Sequence, residues 1–130
     1  MEGNEMTAKK ILFVFFLLIA SFLTTKLIFH YYLNFDAQLG ACSKLEDLSK
    51  RSSCQEALRN RVNTSQKMAM LEDELGLTDF QRAISDDPEV RRRFELEAKN
   101  HFEEAVRLNP SNEQYRKDLE NIQELIADKY

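Results

Sequence analysis

Residues 11–33 read ILFVFFLLIASFLTTKLIFHYYL, and Lys26 is the only formally charged residue among them. At ~1.5 Å of rise per residue the run makes a helix roughly 34 Å long, enough to cross a ~30 Å hydrocarbon layer with some tilt. Its flanks are asymmetric. Lys9 and Lys10 directly precede it, and the next Lys or Arg after Leu33 is Lys44. That pattern predicts an uncleaved signal anchor: residues 1–10 as a cytoplasmic tail, 11–33 as the span, and the rest in a periplasm or lumen.

Two other readings of the same segment stay open. A charged start followed by an apolar stretch over 11–25 is also the layout of a cleavable signal peptide, although no small-x-small site follows it. Leu39-Gly40-Ala41-Cys42 resembles a bacterial lipobox, but residues 34–38 separate it from the apolar run. Within the span, Lys26, His30 and Asn34 recur every four residues and share one polar helix face. Such a face either meets another membrane subunit or lets Lys26 snorkel to the outer interface beside Phe29, Tyr31, Tyr32 and Phe35. Ala20/Thr24 and Ser21/Thr25 are small-x-x-x-small pairs that permit close helix contact.

Beyond residue 35 the chain is polar and acidic, with 15 Lys and Arg against 20 Asp and Glu, a net charge of −5. A negative field argues against nucleic acid as partner. The one basic cluster, Arg91–Arg93, is flanked by Glu89, Glu95 and Glu97 and reads as a solvated helix face. About 95 residues suffice for one small domain, with few aromatics and no Trp to fill its core. Such a core calls for a staple, a second copy or a larger complex.

Three Gly and two Pro in the whole chain leave few places to turn. The span is predicted to continue as a juxtamembrane helix or linker over 34–52. Ser53-x-x-Glu56 is a capping box that opens a helix to Leu75, with Gly76 at its C′ position. Thr78-x-x-Gln81 opens a short second helix. Asp87-Pro88 starts a third, running to about Leu108 with Val90, Phe94, Ala98, Phe102 and Ala105 on its apolar stripe. Asn109-Pro110-Ser111 stops it, and a last helix spans about 112–127 through Tyr115, Leu119, Ile122 and Ile126. No segment sustains period-two alternation, so no strands are predicted.

Residues 98–110, AKNHFEEAVRLNP, place Ala98, Phe102, Ala105 and Pro110 at the spacing A-x3-F-x2-A-x4-P. This resembles the second helix of a tetratricopeptide repeat and the turn after it. The resemblance implies that Ala98 and Ala105 let two helices pack closely, that Phe102 fills the gap between them, and that Pro110 sets the turn into a next helix carrying Leu119. Counting back by the family's spacing puts Arg82, Ser85, Asp86 and Glu89 where a first helix carries Trp, Leu, Gly and Tyr. The expected fold is all-α: one N-terminal transmembrane helix, then a TPR-like bundle of about four helices over 53–130.

The chemistry-bearing residues are sparse. His101 is the only histidine beyond the span, with Glu97 one turn before it as a surface partner. Glu72-Asp73-Glu74 and Asp86-Asp87 lack calcium-loop spacing, and neighbouring side chains on a helix fan apart. No phosphate loop, Cys-x2-Cys pair or nucleophile elbow occurs. The expectation is therefore no catalytic residue, cofactor, metal, small-molecule substrate or nucleic-acid partner. Cys42 and Cys54 are too far apart for a zinc half-site. They make a disulfide if the domain lies outside the cytoplasm and free thiols if it lies inside. Asn63-Thr64-Ser65 is an N-glycosylation sequon, usable only in a eukaryotic secretory lumen.

Together these readings predict a membrane-anchored adaptor, assembly factor or accessory subunit, in a membrane complex or a homo-oligomer. Phe80, Phe94, Tyr115 and Leu119 are its candidate partner contacts. The alternatives are a structural subunit acting through its membrane helix and a regulator of an extracytoplasmic enzyme.

Overall fold

The computed structural model describes residues 2–129, apart from the side chains of residues 2–6 and 29–33. Over that range it contains helices and turns and no strand. The helices are α1 (Glu2–Leu33), α2 (Phe35–Ser43), α3 (Leu48–Leu58), α4 (Ser65–Arg82), α5 (Pro88–Leu108) and α6 (Glu113–Lys129), with a 3₁₀ turn at Arg59–Arg61 after α3. The chain divides into two units at Asn34.

The first unit is α1. Its stretch Thr7–Ile28 is long and apolar enough to cross a membrane. The large apolar side chains from Ile11 to Ile28 are exposed. The hydroxyls of Thr24 and Thr25 donate to the carbonyls of Ala20 and Ser21 at 2.9 and 2.7 Å, so these polar groups are satisfied inside their own helix.

The second unit holds α2–α6, and the starts of α3, α4, α5 and α6 each have a side-chain cap. Asp47 accepts from the Ser49 and Lys50 amides, Thr64 from Lys67, Asp87 from Glu89 and Val90, and Asn112 from Gln114 and Tyr115. Asp87-Pro88 opens α5 as the sequence predicts, and α5 ends at Leu108 before Pro110.

Other boundaries differ from the sequence reading. α2 stops at Ser43 and α3 begins at Leu48, so no continuous helix runs on to residue 50. The Ser53 hydroxyl donates to the Ser49 carbonyl inside α3 instead of capping a helix. The predicted helix 53–75 breaks at residues 62–64, where Val62 and Thr64 are extended and Thr64 supplies the cap of α4. Gly76 then lies inside α4 rather than at a C-terminus. Thr78, read as a cap, is buried in mid-helix, where its hydroxyl donates to the Glu74 carbonyl at 3.0 Å and to Gln55 Oε1 at 2.9 Å.

α4 is the central element. On one side Leu71 and Leu75 pack with Phe35, Leu39 and Cys42 of α2 and Leu58 of α3. Phe35, Leu39 and Cys42, within the stretch 34–52 read from the sequence as a juxtamembrane helix or linker, thus contribute to the same core. On the other side Ala69 meets Ala105 and Tyr115, while Ala98, Phe102 and Ile122 form a third cluster. Cys42 and Cys54 stand at disulfide bonding distance with Cα atoms 5.5 Å apart, which fastens α2 to α3.

Candidate partner-binding cleft

Three consecutive acids on α4 reach different elements, because successive side chains on a helix are turned by about 100°. Glu72 faces the Arg59 guanidinium and the His101 ring of α5, with Glu72 Oε2 2.6 Å from His101 Nδ1. Glu74 accepts from the Ser43 hydroxyl of α2 at 2.6 Å. Asp73 lies against α6, where Asp118 and the Tyr115 ring are neighbours.

The His101 cluster closes the α4–α5 seam. His101 Nε2 stands 3.4 Å from Asp79 Oδ2, and Asp79 also pairs with Arg82 at 3.3 Å. His101 is thus bound across the helix interface to Glu72 and Asp79. Glu97, its expected partner, pairs with Arg93 instead at 3.9 Å. Burial pulls the His101 pKa down, but the hydrogen bond and charge of Glu72, with Asp79 behind them, leave it raised above the usual histidine value. Burial pushes Glu72 up, and the hydrogen bonds to His101 and Arg59 outweigh it, so its carboxyl ends below the usual range. Both ring nitrogens of His101 face carboxylates, an arrangement that ties two helices together and presents no nucleophile.

At the far end of the same helices lies an open cleft of about 580 Å³. Phe80, Ala83 and Ile84 form one wall, Ser85 and Asp86 the loop rim, Arg91 and Glu95 the α5 side, and Leu125 and Lys129 the α6 side. Phe80 is 37% exposed and Ile84 85% exposed, so two large apolar side chains stand open to solvent at its mouth. Arg91 holds the rim: its guanidinium donates twice to the Ser85 carbonyl, at 2.6 and 3.0 Å. The cluster Arg91–Arg93 is therefore only partly a solvated face. Deeper in the cleft Glu95 is 1% exposed. Its Oε1 accepts from Lys129 Nζ at 2.5 Å, and its Oε2 has no hydrogen-bond partner among the described residues.

Of the predicted contacts, Phe80 lines this cleft, and Leu119 is half-buried against the Phe102–Ile122 cluster. Phe94 and Tyr115 are core residues at 6% and 7% exposure. The guanidiniums of Arg82 and Arg93 lie over the Phe94 ring, 4.0 and 4.7 Å from its centre. Ala98, Phe102 and Ala105 are buried at the interfaces of α5, and Pro110 is exposed in the α5–α6 turn. Lys26 is exposed and Asn34 half-buried, while the side chain of His30 lies outside the described residues. Asn63 is exposed in the non-helical link before α4.

Sequence reasoning missed Ile84, Glu95, Leu125 and Lys129 as one surface. Ile84 was legible as an apolar residue beside the turn. Glu95 adjoins the α5 stripe but carries no pattern that marks a buried acid, and Lys129 joins it only through the α5–α6 crossing. No protein-family model, curated protein or solved structure matches the chain.

Proposed function

We propose that this chain is a non-catalytic, membrane-anchored adaptor or assembly factor that binds protein partners through the cleft at the end of α4, α5 and α6. The observation that carries the reading is the pair Phe80 and Ile84, solvent-exposed together at the mouth of one cleft, with Ile84 at 85% the most exposed of the large apolar side chains given for α2–α6. An open apolar mouth with polar groups behind it is the usual form of a docking site. The Cys42–Cys54 pair supports an oxidising compartment for the domain, in line with α1 as a signal anchor whose Lys9 and Lys10 stay in the cytoplasm.

The tetratricopeptide-like reading belongs to the same proposal. α4, α5 and α6 correspond in it to a first helix, a second helix and the first helix of a following repeat. Gly76 supports it by sitting against the Phe102 ring, where the family places a small residue. The link from Gly76 to Ala98 is longer than the family's, which is why counting back from Ala98 fell on Arg82, Ser85, Asp86 and Glu89.

The test uses the full chain, tagged and recovered from its own membranes. Ile84→Asp is expected to abolish a stoichiometric complex that Lys26→Leu leaves intact. The reverse result favours a structural subunit acting through α1. Topology is read separately by labelling Cys42 and Cys54 in intact cells with an impermeant thiol reagent. Labelling only after external reduction supports the extracytoplasmic placement, and labelling only after lysis without reductant overturns it.

A further inference from the structure

We infer that the cleft recognises a cation on its partner: a Lys or Arg side chain next to an aliphatic or aromatic one, paired with the Glu95 carboxylate. The inference rests on the adaptor reading and specifies its ligand. A carboxylate that is 1% exposed, with one oxygen unpartnered among the described residues, is costly to keep unless a donor reaches it. Lys129 already serves the other oxygen from the last turn of α6. Lys129 is 34% exposed at its side chain and approaches from the cleft's own wall, so it stands where an incoming ammonium would stand. Beside this acid lie Phe80, Ala83, Ile84 and Leu125, which fit the apolar neighbour of the cation, while Asp86 at the rim offsets the charge of Arg91. The net charge of −5 beyond residue 35 favours the approach of a basic segment and disfavours an acidic one.

The experiment selects binders from a randomised dodecapeptide library on the full chain in nanodiscs. Enriched peptides are expected to pair Lys or Arg with a large apolar residue, and Ile84→Asp is expected to abolish their binding. Glu95→Gln keeps the shape of the site and removes its charge, so affinity should fall about tenfold, the scale of one charge-assisted hydrogen bond. Lys129→Met removes the competing ammonium from an exposed position, so affinity should rise. Enriched peptides that need Ile84 but are neutral or acidic, or indifferent to Glu95→Gln, overturn the cation inference and leave the adaptor reading standing. A fall in affinity with Lys129→Met as large as that with Glu95→Gln also overturns it, because the ion pair is then structural. No peptide sensitive to Ile84→Asp overturns the docking cleft itself.

Discussion

The Phe102 ring lies so close to Gly76 that a Cβ built on the glycine would meet Cε1 at 2.6 Å and Cδ1 at 2.8 Å. Gly76 has no unusual backbone angle, so it is there for space. Glycine inside a helix ordinarily costs about 1 kcal/mol relative to alanine. Here the sign reverses, because Phe102 is 2% exposed and its ring must shift before a Cβ fits. Gly76→Ala is expected to destabilise the domain by about 2 kcal/mol, the scale of overpacking, measured by urea unfolding. An unchanged or raised midpoint would mean that the ring adjusts freely and that α4 and α5 are not locked at this point.

The Cys42–Cys54 link closes a short loop, with a sequence separation of 12 residues, and ties α2 to α3. The chain-entropy model assigns such a loop about 3 kcal/mol. α2 also brings Phe35 and Leu39 to the core cluster. The double variant Cys42→Ala/Cys54→Ala is expected to lose stability on that scale, and the amides of α2 should be the first to gain hydrogen exchange. Uniform loss of protection across α2–α6 would show that the domain unfolds as one block and that the link does not act locally.

How much of this was legible in the sequence follows from which signals are local. The α5 boundaries were readable because Asp87, Pro88 and Pro110 act on their own backbone neighbours. The Val62–Thr64 break was not, since Thr64 caps α4 without the Glu or Gln three residues on that completes a capping box, while the box at Ser53 is satisfied inside α3. Gly76 and Thr78 were misread as punctuation for a different reason. Their roles are set by Phe102 and Gln55, partners 26 and 23 residues away. The apolar membrane-length helix was legible in full, and the cleft in part. Phe80 was singled out, whereas Glu95 and Lys129 meet only in the folded bundle.

Asp73 gives the α4–α6 contact a pH dependence. Burial, then the negative charges of Asp118 and Glu74, raise its carboxyl to about 7 from an ordinary 3.8. A folded-state pKa above the unfolded one contributes stability that is full below the unfolded value and lost as pH rises through the folded value. The domain should therefore weaken between pH 4 and 8 on this account. Asp73→Asn, which mimics the protonated acid, is expected to flatten that slope and to stabilise the protein at pH 8 by about 1–2 kcal/mol. Thermal melts of both proteins across that range decide it, and parallel profiles would contradict the assignment.

His101 and Glu72 titrate in opposite senses from the same contact. The His101 value is raised, so its contribution is full below the ordinary 6.5 and fades as pH rises through the folded value. The Glu72 value is lowered, so its contribution is present above 4.5 and fades as pH falls through the folded value. The ion pair is strongest in the window between those limits. His101→Asn leaves Glu72 to Arg59 and Asp79 to Arg82 on a buried seam and should cost about 1–3 kcal/mol near pH 6. That penalty should shrink as pH rises through the folded His101 value, where the imidazole loses its charge and donates through only one nitrogen. Arg59 still faces Glu72 in the variant, so the seam loosens without opening, and the cleft around Ile84 should keep its binding. A penalty that stays equal across that rise would mean that His101 acts through its shape and not through its charge.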